Sequence, residues 1–356
     1  MQYPANADLS AVVDLNHDNR PDIVNVFDDC PIEVSVRMNG GAGTFGPGSF
    51  FEDLGCGPYP VASVVVADAN SDGRSDVLFL NRSQNALEVL TADGMGGLNP
   101  PIWSQLGEPS SGLAGGDLDG DGRPELVVTE SPANAVVVYA GDGTGRFMFL
   151  AFARGGGEPG EVALGDVDGD RDLDVVTINR LQRTVTILLG DGSGRLTRLG
   201  DVAAGGVPVG IAARDLNRDR LADVIVRRED ATISLFVAVG SGAFAARRDF
   251  VATRMPESRT RARAPIVADV NGDGFPDVAA GYMDAVFTRS FSRSFSVLAG
   301  DGLGSLSEPE SFAANATRGC RRPGCRWTAG HRKRRADREL EWHRSNKSSA
   351  AGECRH

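Results

Sequence analysis

The chain has 356 residues, a formal net charge of −11, 45 Gly and only 6% aromatic residues. Gly at this density without a Gly-X-Y period excludes collagen and argues against a long helical bundle, whose interiors Gly weakens. No apolar run of about 18 residues suggests a transmembrane helix, residues 1–20 show no basic-then-apolar leader, and the acidity excludes nucleic acid as a default partner.

The average charge hides a break. Residues 1–317 hold 25 Arg, no Lys and 44 acidic residues, a balance of −19; residues 318–356 hold 10 Arg, 2 Lys and 4 acidic residues, a balance of +8. The two stretches are read separately, as a repeat body over 8–317 and a basic tail over 318–356.

Within the body, one acidic pattern recurs six times in chain order. It reads DLNHDNRPD from Asp14, DANSDGRSD from Asp68, DLDGDGRPE from Asp117, DVDGDRDLD from Asp166, DLNRDRLAD from Asp215 and DVNGDGFPD from Asp269. The intervals are 54, 49, 49, 49 and 54 residues. A Gly-rich pattern follows in phase: GGAGTF at Gly40, DGMGGL at Asp93, GDGTGRF at Gly141, GDGSGRL at Gly190, GSGAF at Gly240 and GDGLGSL at Gly300. Between these turns lie short β-branched and apolar runs. In the fourth repeat they are EVALGD, DVVTIN, TVTILLG and LTRLGDVAAG. Four strands in about 50 residues is the size of a propeller blade, so the expected fold is all-β, a propeller of four-stranded antiparallel blades. A β-solenoid ranks below it, because solenoid repeats are shorter.

The acidic loop has a specific chemistry. Ca²⁺ takes about six to eight oxygens, and positions 1, 3 and 5 of a tight loop converge on one centre. Position 7 offers a backbone carbonyl, position 9 closes the site with a carboxylate, and Gly at position 6 allows the sharp turn. The candidate ligands are Asp14, Asn16, Asp18 and Asp22; Asp68, Asn70, Asp72 and Asp76; Asp117, Asp119, Asp121 and Glu125; Asp166, Asp168, Asp170 and Asp174; Asp215, Asn217, Asp219 and Asp223; and Asp269, Asn271, Asp273 and Asp277. Up to six structural Ca²⁺ ions are expected. The third and fourth loops, with four carboxylates each, should bind best. Arg171 and Arg220 at position 6 depart from the pattern, and Arg218 should make the fifth loop weakest. The plainer alternative is that these residues only form Asx turns.

The recurrent loops followed by GDGxGxF resemble the FG-GAP/VCBS repeats of integrin α-chain-like propellers. The resemblance covers residues 8–317. It implies that each loop joins the first and second strands of a blade and holds a structural Ca²⁺ on one face of the ring. It also suggests seven blades for closure, so six complete repeats leave open a six-bladed ring or a seven-bladed one lacking its last blade.

Alternating strand direction puts the acidic loops and Gly-rich turns on one face. Cys30 and Cys56 then fall on the opposite face of the first blade. They are a disulfide candidate worth about 3 kcal/mol by loop closure, with two buried free thiols as the alternative. The same face carries two long insertions, 253–265 and 281–294. These gather Arg254, Arg259, Arg261, Arg263, Arg289 and Arg293 into a rim suited to an anionic ligand. No catalytic constellation is visible, and the body's one histidine, His17, lies inside an acidic loop. The expectation is a calcium-stabilised, monomeric binding or adhesion module, secreted or at the cell surface. Its ligand would be a glycan or protein, with no nucleic acid and no membrane insertion. A polysaccharide lyase and a purely structural module of a larger surface protein are the alternatives. The tail carries Cys320, Cys325, His331 and His343 at poor zinc spacing. It reads as a disordered or out-of-frame segment standing where a seventh acidic loop was due.

Overall fold

A computed structural model describes residues 9–27, 32–42, 44–46, 48–51, 61–252, 264–285 and 291–314. Among them there is no α-helix, hence none long and apolar enough to cross a membrane. The chain divides into Met1–Ala316 and Thr317–His356, and the second part lies outside the described residues.

The body is a propeller of six blades, each a four-stranded antiparallel sheet paired in chain order. Blade four shows the plan, with strands Pro159–Gly165, Asp174–Asn179, Thr184–Gly190 and Leu196–Ala203. The first strands of the blades are Leu9–Val13, Val61–Ala67, Ser110–Gly116, Pro159–Gly165, Pro208–Arg214 and Ile266–Ala268. From blade one to blade six each lies beside the next. Two extra hairpins, Asn39–Gly41 with Thr44–Phe45 and Ala238–Gly240 with Ala243–Phe244, form at the Gly-rich turns of blades one and five.

The second strands show why these sequences take this fold. Asp76–Asn81 (DVLFLN), Glu125–Glu130 (ELVVTE) and Asp174–Asn179 (DVVTIN) are buried along their whole length. A blade between two neighbours is covered on both faces, so both alternations of its central strands are mostly apolar. Five buried clusters result, one between each consecutive pair of blades. Leu126 and Val128 of blade three, for example, meet Leu78, Leu80 and Leu87 of blade two. Burying each such side chain contributes roughly 1.5–3 kcal/mol. Among the described residues, no buried cluster joins blade six to blade one.

The Gly-rich turns lock neighbouring blades together. A Cβ on Gly145 would lie 2.7 Å from Ile102 of the preceding blade, and one on Gly194 would lie 2.5 Å from Leu150. The amide of Gly145 donates to the Ala69 carbonyl at 2.9 Å, and that of Gly194 to the Leu118 carbonyl at 3.3 Å. These turns therefore sit on the acidic loop of the blade before them, as does that of blade five, where the Ser241 amide donates to the Asp168 carbonyl.

One sequence expectation changes. The stretch 281–294 is not a loop insertion throughout, because strands Asp277–Ala285 and Phe291–Leu298 run through it and pair from Val278↔Leu298 to Ala285↔Phe291. Each half of this Ser-, Phe- and Arg-rich segment supplies the other's hydrogen-bond partner, so the hairpin extends. Arg293 is on a strand, opposite Met283 and Ala314. Cys30, Cys56, Arg254, Arg259, Arg261, Arg263 and Arg289 lie outside the described residues.

Candidate metal centres

All six acidic loops join the first and second strands of a blade, and each is organised by its own carboxylates. In loop four, Asp166 Oδ1 accepts the amide of Gly169 at 2.6 Å and Oδ2 accepts that of Arg171 at 3.0 Å. Asp168 accepts the amide of Asp170 at 3.0 Å, and Asp170 accepts that of Asp172 at 2.9 Å. The Asx turns considered as the plain alternative are thus present, and they shape the loop on which the carboxylates are displayed.

Position 6 has positive φ in every copy: 62° at Asn19, 83° at Gly73, 85° at Gly122, 81° at Arg171, 75° at Arg220 and 87° at Gly274. The two arginines do not change the loop. They hold glycine-like geometry at a cost of about 1–2 kcal/mol each. Arg218 does not stay beside its own loop. Its guanidinium donates to the Gly274 carbonyl and stacks 4.4 Å over the Phe275 ring, both in loop six.

Position 9 has a role the sequence reading missed. Asp174 is fully buried, with Oδ2 accepting the amide of Val167 at 2.7 Å and Oδ1 that of Gly190 at 2.9 Å. It clamps the start of the loop to the end of the third strand. Asp22, Asp76, Asp223 and Asp277 make the same pair of bonds, Asp76 for instance to Ala69 and Ala92. Burial pushes Asp76, Asp174 and Asp223 up to about 6, with the backbone bonds opposing and the nearby loop carboxylates adding. The signal available in the sequence was that this acid opens an otherwise apolar strand.

The loops differ in how their charge is balanced. In loops one, two, five and six the Asn at position 3 donates its side-chain amide to the Asp at position 5, between Asn70 and Asp72 at 3.1 Å and between Asn271 and Asp273 at 2.8 Å. Loops three and four have Asp119 and Asp168 there, which cannot donate. These two loops hold the groups in which three carboxylates bring oxygens within 4.8 Å of one another: Asp117, Asp119 and Glu125, and Asp166, Asp168 and Asp170. In loop three Arg123 pairs with Asp121 at 3.1 Å on the surface, a contact worth little. Loop four has Asp172 at that position instead of a cation. Burial raises the Asp168 carboxyl, and its neighbours Asp170 and Asp166 raise it further; burial likewise raises Glu125, with Asp119, Asp121 and Asp117 adding. An all-oxygen, acidic, preshaped donor set of this kind fits a hard divalent cation such as Ca²⁺.

Six four-stranded blades with a repeated acidic loop on one face define a repeat β-propeller. A model of the FG-GAP-like repeat matches residues 14–79, 68–128, 117–177, 166–226 and 215–280, each match running from one acidic loop past the next. The chain belongs to the FG-GAP-like repeat family. No curated protein matches its sequence. Among solved structures, a candidate 6-phosphogluconolactonase from Bacteroides uniformis covers 85% of this chain and 87% of its own, with a TM-score of 0.57 and 15% identity. A Lactobacillus plantarum protein covers 82% of this chain and 81% of its own, with a TM-score of 0.54 and 17% identity. BBS1N, solved in complex with ARL6DN, covers 86% and 82%, with a TM-score of 0.55 and 11% identity. At these identities the likeness is one of fold.

Proposed function

We propose that this chain is a calcium-stabilised propeller that serves as an extracellular binding module without catalytic activity. The observation that carries the reading is the pair of three-carboxylate groups in loops three and four, which have Asp119 and Asp168 where the other loops have the side-chain amide of an Asn. Asp117, Asp119 and Glu125 would hold one ion, and Asp166, Asp168 and Asp170 another. A bound Ca²⁺ supplies charge neutralisation and fixes the loop. The residues then do the structural work: the carbonyls of Ala69, Leu118 and Asp168 receive the turn of the following blade. His17, the body's one histidine, is exposed on the first acidic loop. Glycan or protein is the ligand class.

Two measurements test this. Melting in excess chelator should fall by several degrees and recover with Ca²⁺, since an ion that binds only the folded state stabilises it. Unchanged melting overturns the metal reading. Incubation with acidic polysaccharides should give binding without unsaturated products, and such products would make the chain a lyase.

A further inference from the structure

The outer strand of each blade has a free edge, a row of unpaired amides and carbonyls on which another strand can align. Among the described residues, five of the six edges are blunted. Blades one and two end in strands of only three and four residues, Ser49–Phe51 and Ile102–Gln105. Blades four, five and six carry charge on theirs, with Arg198 and Asp201, Arg248 and Asp249, and Glu310. Blade three has neither device. Its outer strand, Phe147–Arg154 (FMFLAFAR), runs eight residues with no charge before Arg154, and no described strand pairs with its outer side.

Met148, Phe149 and Phe152 on this strand are 64%, 62% and 67% exposed. The matching register of blade four shows how the same fold solvates an edge. Tyr139 faces Phe149 where Leu188 faces Arg198, and Val137 faces Phe152 where Thr186 faces Asp201. Arg198 and Asp201 pair at 2.7 Å, and Asp201 accepts the Thr186 hydroxyl at 2.7 Å. Blade three puts two phenyl rings in place of that ion pair. The rings lie mostly outside the core, so packing within the blade does not account for them. A contiguous exposed apolar patch of this kind marks an interaction site.

The ends of the strand are cationic. Arg146 precedes it and Arg154 closes it, both exposed. Neither guanidinium belongs to an ion pair of the described residues. Asp142, in the turn beside Arg146, spends its Oδ1 on the Thr144 hydroxyl and on the amides of Thr144 and Arg146. A second copy is therefore a poor occupant. Antiparallel self-pairing about Leu150 would set each Arg154 against the other copy's Arg146, and like charges directly opposite are destabilising. The complement is a strand that is apolar in the middle and carries a carboxylate at each end, about 26 Å apart at about 3.3 Å per residue.

We propose that the outer strand of blade three captures an extended peptide segment of a partner protein as a fifth strand. Apolar side chains of the segment cover Phe149 and Phe152, and acidic residues about eight positions apart meet Arg146 and Arg154. The proposal rests on the binding-module reading and names its ligand; melting in chelator and the polysaccharide incubation judge that reading, whereas the assay below judges this edge.

The test pans the full chain against a display library of random dodecapeptides and titrates the enriched peptides by fluorescence polarisation. Enriched peptides should hold an apolar run bounded by Asp or Glu, and their binding should slow backbone amide exchange across residues 147–154. The variant F149R/F152D installs the ion pair of blade four at the matching register, so it should melt with the parent yet bind about tenfold or more weakly. If it melts early, F152S reads the same loss, since Ser311 holds that register in blade six, opposite Ser296. R146E/R154E should weaken acidic-ended peptides by about three- to tenfold and favour lysine-ended ones. Four results would overturn the proposal: no enriched peptide, enriched peptides without acidic ends, affinity or amide exchange at 147–154 that ignores these changes, or a dimer in light scattering that F149R/F152D dissolves, which would make the occupant a second copy.

Discussion

Glu88 in blade two offers a sharp test of how burial sets this protein's response to pH. It is fully buried on the third strand, opposite Phe79, and its Oε1 accepts the side-chain amide of Asn81 at 2.6 Å. Oε2 has no hydrogen-bond partner. Burial pushes the carboxyl from 4.5 to about 7, with Asn81 opposing. The folded state therefore holds this proton more tightly than the unfolded chain. Its contribution is fully present below about pH 4.5, declines as pH rises, and is lost above about pH 7. A difference of 7 − 4.5 = 2.5 corresponds to about 3 kcal/mol at 1.36 kcal/mol per unit. Glu88→Gln cannot ionise and should lack this decline. Urea unfolding of both proteins at pH 4.5 and pH 8 gives the assay. The stability of the variant relative to the parent should rise by about 3 kcal/mol between the two pH values. Taking the difference cancels every other titrating group. A relative stability independent of pH would refute the reasoning, because it would mean that the carboxyl is solvated.

Three further outcomes follow from the same geometry. Asp168→Asn should restore the amide donor present in loops one, two, five and six, so calorimetry should show loop four losing cation affinity by at least tenfold while the apo protein keeps or gains stability. Arg171→Gly relieves a residue at φ 81° and should stabilise the protein by about 1 kcal/mol in chemical unfolding. Gly194→Ala places a methyl against Leu150 at positive φ and should cost about 1–3 kcal/mol, whereas Gly73→Ala meets positive φ but open space and should cost less.

The blades were legible because their signal is local and repeated. Fixed spacing of loops and turns, with apolar runs between them, set strand number, order and facing. The clustering of carboxylates in loops three and four was legible as well, since Asp at position 3 can be read directly. The clamp at position 9 was not, because its second partner is an amide 16 residues away in the case of Asp174 and Gly190, brought close only by pairing of the second and third strands. Arg218 was placed beside its own loop because sequence proximity suggested it, but stacking on Phe275 draws the side chain to the next blade. Val270 is the clearest case. In sequence it equals Val167, yet it is exposed where Val167 is buried, since among the described residues no further blade packs on its face.

The seating of the Gly-rich turns of blades three, four and five on the acidic loop of the blade before gives the array a direction. Stability then behaves as in a linear array, where every unit leans on one adjacent unit and the terms add between nearest neighbours. Filling loop three or four should firm up the following blade before the preceding one, as a hydrogen-exchange gradient would register. Loop six has no described turn resting on it and is the end from which such an array frays.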